Sequence, residues 1–172
     1  GRVPARADTT ITHVGSVEVI ETQPDATPDP HPKRRRAATA TVAPGPAAES
    51  LRGSDLLLRT ALSLVGRPYV WGGADLGGFD CSGFTYYAFA RLGIRIPRTA
   101  DEQFAVGRPI AGDPLPGDLV FFQTYDYGAS HVGIYLGNGE FVNAIGADVH
   151  VASFASPYFR ARYLGARRFL PT

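Results

Sequence analysis

The spacing of apolar residues changes character twice along this chain. Thr9 to Ile20 places Ile11, Val14, Val17 and Val19 among polar positions, a pattern that predicts a strand or short hairpin. From Thr22 to Ser50 large apolar residues almost vanish and prolines recur, so this stretch reads as a linker with too little to bury to offset chain entropy. Helical spacing then begins. Ser54-Asp55 is a candidate cap for a helix carrying Leu56, Leu57, Ala61, Leu64 and Val65, stopped by Gly66 and Pro68. Tyr69 to Gly73 is a short extended piece, a second apolar helix starts at Cys81 and runs to about Leu92, and Pro97-Arg98-Thr99-Ala100 opens a third, short one. After the turn Asp113 to Gly117 the period becomes two. Residues 118–122, 131–136, 140–144, 149–153 and 163–169 predict five short antiparallel strands, with Pro157-Tyr158-Phe159 as a helical turn before the last. Helices first and a sheet afterwards make an α+β domain, helices packed on one side of the sheet, preceded by an irregular N-terminal segment. The division is residues 1–50 and 51–172.

Composition narrows the function classes. A net charge of +1 in 172 residues with 44% hydrophobic content favours no particular partner. The run Lys33-Arg34-Arg35-Arg36 has no interleaved aromatics and no nucleic-acid-binding motif around it, so it reads as a solvated linker charge and no nucleic acid is expected. No stretch reaches the ~20 apolar residues of a membrane span, and the first residues lack the regions of a signal peptide, so any export signal has been removed or was never present. One cysteine and four dispersed histidines give no metal-ligand spacing, so neither metal nor cofactor is expected.

That cysteine is the centre of the chemistry. The small residues Gly72 to Gly78 lead to Phe79-Asp80-Cys81-Ser82-Gly83-Phe84, where Asp80 is a plausible N-cap and Cys81 the first helical residue. Unpartnered amides and the helix dipole favour an anion there, and a thiol at a helix start can fall to a pKa of roughly 3.5–7.5. The competing reading is an inert, buried structural cysteine.

A nucleophilic thiol needs a base. His13 and His31 lie in the poorly patterned N-terminal part, and His150 opens a strand beside Asp148. His131 opens the strand His131 to Leu136, where it shares one face with Gly133 and Tyr135 while Val132, Ile134 and Leu136 take the other. Asn143 on the next strand is a candidate for orienting the imidazole, provided it shares that face. A two-residue loop at Asn138-Gly139 would set 134 opposite 143 and put Asn143 on the wrong side; a three-residue loop Gly137-Asn138-Gly139 sets 133 opposite 143 and puts it on the right one. The three-residue loop is the expectation.

These residues resemble the NlpC/p60 cysteine peptidases of bacterial cell walls, which have a reduced papain-like fold. The resemblance spans about Asp55 to Phe169 and rests on Tyr69 with Gly72-Gly73, Asp80-Cys81-Ser82-Gly83-Phe84, Pro97-Arg98-Thr99, Pro116-Gly117-Asp118-Leu119-Val120-Phe121-Phe122 and His131-Val132-Gly133-Ile134-Tyr135. It implies that Cys81 is the nucleophile, His131 the base and Asn143 the orienting residue, where many members carry histidine. It also implies an oxyanion site from the Cys81 amide and the Tyr69 hydroxyl, although Tyr69 also fits a purely structural role. Asp80 and Ser82 match positions lining the substrate groove, and Trp71 is a candidate groove wall, as are Phe84, Tyr86 and Phe89 if they are not core. Asp118 reads as structural, capping the turn before its strand.

The reaction so implied is hydrolysis of a peptidoglycan stem peptide or muropeptide, at the amide between D-γ-glutamyl and a diamino acid, by a secreted or envelope-located monomer. Related amidases and lipid acyltransferases with the same core are rival enzymes, and a non-catalytic wall-binding module is the rival from another class.

Overall fold

The computed structural model describes residues 45–171, so the predicted N-terminal strand and most of the predicted linker lie outside the described residues. The first helix, α1 (Pro46–Ser63), starts within the stretch read as linker. Proline at its first position explains this: the ring fixes a helical φ, and the missing N–H is one the helix start leaves unpaired anyway. Ser54 and Asp55 therefore do not cap it. They sit inside it, the Ser54 hydroxyl donating to the Leu51 carbonyl and Asp55 pairing with Arg59 one turn on. Its buried stripe is Leu57 and Ala61, continued by Leu64 at the C-cap, while Leu56 and, beyond the helix, Val65 face solvent.

A two-stranded ribbon, β1 (Ala74–Asp75) with β2 (Gly78–Phe79), leads into α2 (Cys81–Ala90). This helix is buried on most sides, with Cys81 to Thr85, Ala88 and Phe89 all inaccessible. Gly83 is required by the approach of the ribbon, because a Cβ there would stand 1.9 Å from the Gly73 carbonyl oxygen. Next come α3 (Ala100–Val106) and β3 (Arg108–Pro109). The remaining elements are β4 (Leu119–Phe122), β5 (His131–Gly137), β6 (Glu140–Ile145), β7 (Asp148–Ser153), the one-turn helix α4 (Pro157–Arg160) and β8 (Tyr163–Arg168).

The sheet has six strands in the order β3-β8-β4-β5-β6-β7, all neighbours antiparallel, rather than the five expected. The extra strand is β3, two residues long and containing a proline, at the edge where a missing N–H is tolerated and where no period-two pattern has room to show.

Both faces of the sheet are covered. Leu119, Phe121, Val132, Ile134, Val142 and Ala144 pack under the helices with Leu57, Phe84, Ala88 and Phe89. The opposite face, carrying Val120, Phe122 and Phe141, is closed by Phe159 of α4 and by Phe154. Phe122 lies at the middle of this second cluster, its ring centroid 5.0–6.0 Å from those of His131, Phe141, Phe154, Phe159 and Tyr163. Burying side chains of this size stabilises the fold by about 1.5–3 kcal/mol each before chain entropy is counted.

The β5–β6 hairpin corrects the loop expectation while preserving its consequence. Gly137 pairs with Glu140, so the turn is the two residues Asn138-Gly139, with φ of 54° and 77°. Asn-Gly is the sequence best suited to such a left-handed pair. One residue further back the register slips between Tyr135 and Gly137, a bulge that leaves Leu136 unopposed. Beyond it Tyr135 pairs with Phe141 and Ile134 with Val142. The same register brings Gly133 beside Asn143, where a Cβ on Gly133 would lie 3.2 Å from the Asn143 Cβ. The bulge supplies the residue that the short turn lacks.

Candidate active site

Cys81 occupies the first helical position of α2. Asp80 caps the helix, its carboxylate accepting from the Gly83 amide at 2.6 Å and, through its other oxygen, from the Gly72 amide at 3.0 Å. The ribbon and the helix start are thus fastened to one carboxylate. The thiol is buried, and its Sγ lies 3.8 Å from the Ser130 carbonyl, the residue immediately before His131.

His131 is 2% exposed and Asn143 is fully buried. His131 Nε2 stands 2.8 Å from Asn143 Oδ1. The Asn143 amide has its orientation fixed from the other side, because its Nδ2 donates to the His150 carbonyl on β7 at 3.1 Å. Oδ1 therefore faces the imidazole as an acceptor, Nε2 carries the proton, and Nδ1 is left with a free lone pair. The rings of Phe122 and Phe159 flank the imidazole at centroid distances of 6.0 Å.

That burial sets the charge state. Loss of solvation pushes His131 down to about 4, with the Asn143 hydrogen bond opposing and His150 adding to the fall. Burial, and then the nearby Asp80 carboxylate, push the Cys81 thiol up to about 11, against the amides of Val132, Ser82 and Cys81 that draw it down. The helix start alone led to the expectation of a depressed thiol. Desolvation outweighs it, and the resting pair is a neutral thiol and a neutral imidazole.

Two cavities meet at Cys81. The larger, about 510 Å³, is lined by Asp80, Ser82, Arg98, Asp101, Trp71 and Tyr125 among others. The smaller, about 200 Å³, is bounded by His131, Thr124, Ala144, Ile145 and Tyr158. Cys81, Tyr69 and Tyr125 border both. Of the residues singled out from the sequence, the structure gathers Cys81, His131, Tyr69, Asp80, Ser82 and Trp71 around these cavities, with Asn143 hydrogen-bonded to His131. Trp71 is 71% exposed and meets Tyr125 edge-on at 5.5 Å, whereas Phe84 and Phe89 are core and Tyr86 borders neither cavity. Asp118 caps its turn, accepting from the Leu115 amide at 2.8 Å.

Several residues of the site carried no assignment from sequence. Arg98 holds Asp80 bidentately at 3.0 and 2.8 Å, and reaches the Ser82 hydroxyl and the Gly73 carbonyl. Its signal was the Pro97-Arg98-Thr99 motif, which names the residue but not its partner. Gln103, fully buried, donates to the carbonyls of Ser82 and Pro97 and so ties α3 to the start of α2. The loop between β4 and β5 contributes Tyr125, and Ser130 ties that loop together by accepting from the Thr124 amide and donating to the Asp126 carbonyl. Among the described residues no group of three or more His, Cys, Asp or Glu is placed to hold a metal, and no helix is long and apolar enough to cross a membrane.

A thiol at the start of a central helix, bordering the same cavity as a histidine at the start of a sheet strand whose imidazole is held by an amide on the next, places the molecule among papain-like folds. A model of the NlpC/P60 family matches residues 66–168. The chain is 40% identical over 146 residues to murein DD-endopeptidase MepH of Escherichia coli strain K12, covering 80% of this chain and 54% of that protein. It is 42% identical over 118 residues to gamma-DL-glutamyl hydrolase of Bacillus subtilis strain 168, covering 66% of this chain and 29% of that one. The solved structure of the peptidoglycan hydrolase RipB from Mycobacterium tuberculosis superposes with a TM-score of 0.62 at 32% identity, covering 74% of this chain and 69% of that chain. This chain belongs to the NlpC/P60 family. It spans about half the length of the first of those curated relatives and less than a third of the second.

Proposed function

We propose that residues 51–172 are a cysteine endopeptidase of peptidoglycan stem peptides and muropeptides, cutting the amide between D-γ-glutamyl and the diamino acid, with Cys81 as nucleophile, His131 as base and Asn143 as the residue that orients it. The observation that carries this reading is the hydrogen-bond chain His131–Asn143–His150 carbonyl, which leaves Nδ1 unprotonated on an imidazole whose residue borders one cavity with Cys81.

In this reading the Cys81 proton passes to His131 Nδ1 as sulfur bonds to the carbonyl carbon. A neutral pair suits this order, because the charges appear together and next to each other rather than waiting as a buried thiolate. The oxyanion that forms is held by the Cys81 amide and the Tyr69 hydroxyl. The C–N bond then breaks, His131 returns its proton to the leaving nitrogen, and a water activated by His131 cleaves the thioester to release the acid and regenerate the thiol.

Asp80, Ser82 and Arg98 provide a fixed carboxylate, hydroxyl and guanidinium to the acyl half of the substrate, Asp80 being the partner for a free L-alanyl amine, and Trp71 walls the groove. A secreted or envelope location follows from the substrate. Support comes from relatives whose names place them on murein and on γ-DL-glutamyl bonds.

The test is mass spectrometry of peptidoglycan and soluble muropeptides digested by the full chain beside Cys81→Ala. The expected result is release of L-Ala-D-γ-Glu from stems with a free amino terminus, absent with the variant. Cleavage only at D-alanyl cross-links would move the bond while keeping the mechanism. If no amide is cut, the peptidase reading fails and the wall-binding or related amidase and acyltransferase readings take its place.

A further inference from the structure

The two cavities that meet at Cys81 are chemically unlike, and the base belongs to only one of them. The nitrogen released in the first half of the reaction must receive its proton from His131, so the amine half of the scissile bond has to enter the cavity that His131 borders. The acyl half is then left with the larger cavity of Asp80, Ser82 and Arg98. Apart from the reacting pair, the smaller cavity is bounded by Tyr69, Thr124, Tyr125, Ala144, Ile145 and Tyr158, none of them a carboxylate, ammonium or guanidinium. Arg162 does approach, but its guanidinium lies 4.0 Å over the Tyr158 ring and its Nη1 is engaged by the Tyr158 carbonyl. The wall on this side is therefore a tyrosine ring and aliphatic carbon.

Building on the hydrolase reading above, we propose that the cavity walled by Ile145 and Tyr158 is the leaving-group subsite, and that it selects an amine-side residue whose own carboxyl is amide-linked over one ending in a free carboxylate. A carboxylate carried into this space would lose hydration and find no cation to replace it. A carboxamide keeps its shape and avoids that cost. The domain would thus cut within longer or amidated stems and spare tripeptides that end at the diamino acid.

The experiment uses the full chain and three synthetic substrates sharing the acyl half L-Ala-D-γ-Glu: the diamino acid amide, the diamino acid with a free carboxylate, and a methyl ester with almost no leaving group. For the unaltered protein, kcat/KM on the carboxamide should exceed that on the carboxylate by about tenfold, the scale of a poorly matched contact in an apolar pocket. Tyr158→Ala should lower kcat/KM on the carboxamide about tenfold more than on the ester, and Tyr158→Phe, which keeps the ring, should restore the ratio. Tyr158 is 44% exposed and its removal opens no core cavity. Equal losses on amide and ester, or a carboxylate substrate cut as fast as the amide, would overturn the subsite. Hydrolysis of none of the three by the unaltered protein would instead remove the D-γ-glutamyl bond assignment on which the subsite rests, and release of cross-linked muropeptides from peptidoglycan by the same protein would show whether the hydrolase reading survives it.

Discussion

The two ends of the β4–β5 strand pair bury ionisable groups in opposite ways. At the Leu119–Ile134 end, Asp118 is 1% exposed and is met by Arg168 through two hydrogen bonds of 2.6 Å, with the Leu115 amide as a third donor. At the Phe122–His131 end, Cys81 and His131 are as deeply buried, yet neither has a permanent counter-charge, and burial drives both toward the neutral form. The first end is stable because its charges are answered. The second holds two groups with no such answer, which in the proposed mechanism become charged only as the reaction proceeds.

The largest expected break in this contrast is Arg168→Met, which leaves the Asp118 carboxylate buried and unpaired. It should cost about 3–5 kcal/mol in denaturant unfolding, and pairing it with Asp118→Leu should recover much of the loss. Recovery would show that the charges are dispensable there once both are gone. A loss below ~1 kcal/mol for Arg168→Met would erase the distinction between the two ends.

Next in size is the pH dependence of the other end. His131 sits at about 4 in the fold against an ordinary 6.5, so below pH 6.5 the unfolded chain binds the proton that the folded chain refuses. Stability should therefore fall by about 3 kcal/mol as pH drops from 6.5 to 4, the equivalent of the shift. Cys81, raised to about 11 from 9.0, gives the mirror effect, with stability lost as pH rises from 9 to 11. The fold should be most stable between these windows, and thermal unfolding of His131→Gln should show the acid-side loss reduced.

Asp80→Ala tests the intermediate case, a carboxylate 14% exposed on its side chain that is both cap and ion-pair partner. Loss of the cap should cost about 1–2 kcal/mol, less than at Arg168 because water reaches this pair. The smallest effect is a slope. Iodoacetamide alkylation of Cys81 should quicken about tenfold per pH unit from 8 to 10 without a plateau near neutrality, as a thiol at about 11 requires. A plateau below pH 7 would mean a standing thiolate and would overturn the picture of a neutral pair.

Local chemistry was legible in the sequence, and distant pairing was not. Asp80 as N-cap, Cys81 at the helix start, the strand faces of His131 and Asn143 and the capping role of Asp118 follow from neighbours within a few positions. Arg98 with Asp80, Gln103 with Ser82 and Arg168 with Asp118 join residues 18, 21 and 50 positions apart, and no period encodes such a partner. The thiol was misjudged for a related reason: a helix start is visible in sequence, but the desolvation that outweighs it comes from elements folded around it. The helices were expected on one side of the sheet only, and the cover on the His131 face, Phe154 and Phe159, comes from a segment beyond β7 that no periodicity marks.

The hairpin of β5 and β6 sets a rule about length. His131 and Asn143 are twelve positions apart, and the count works only because one unopposed residue at Leu136 follows from a two-residue turn. Surface turns are ordinarily where chains gain and lose residues at little cost. Here a single deletion at Gly137 to Gly139 would leave a well-formed hairpin and rotate Asn143 to the other face of the sheet, detaching the imidazole from its holder. This turn is short, with Asn138 exposed, and borders neither cavity, yet its length decides which face of the sheet Asn143 occupies.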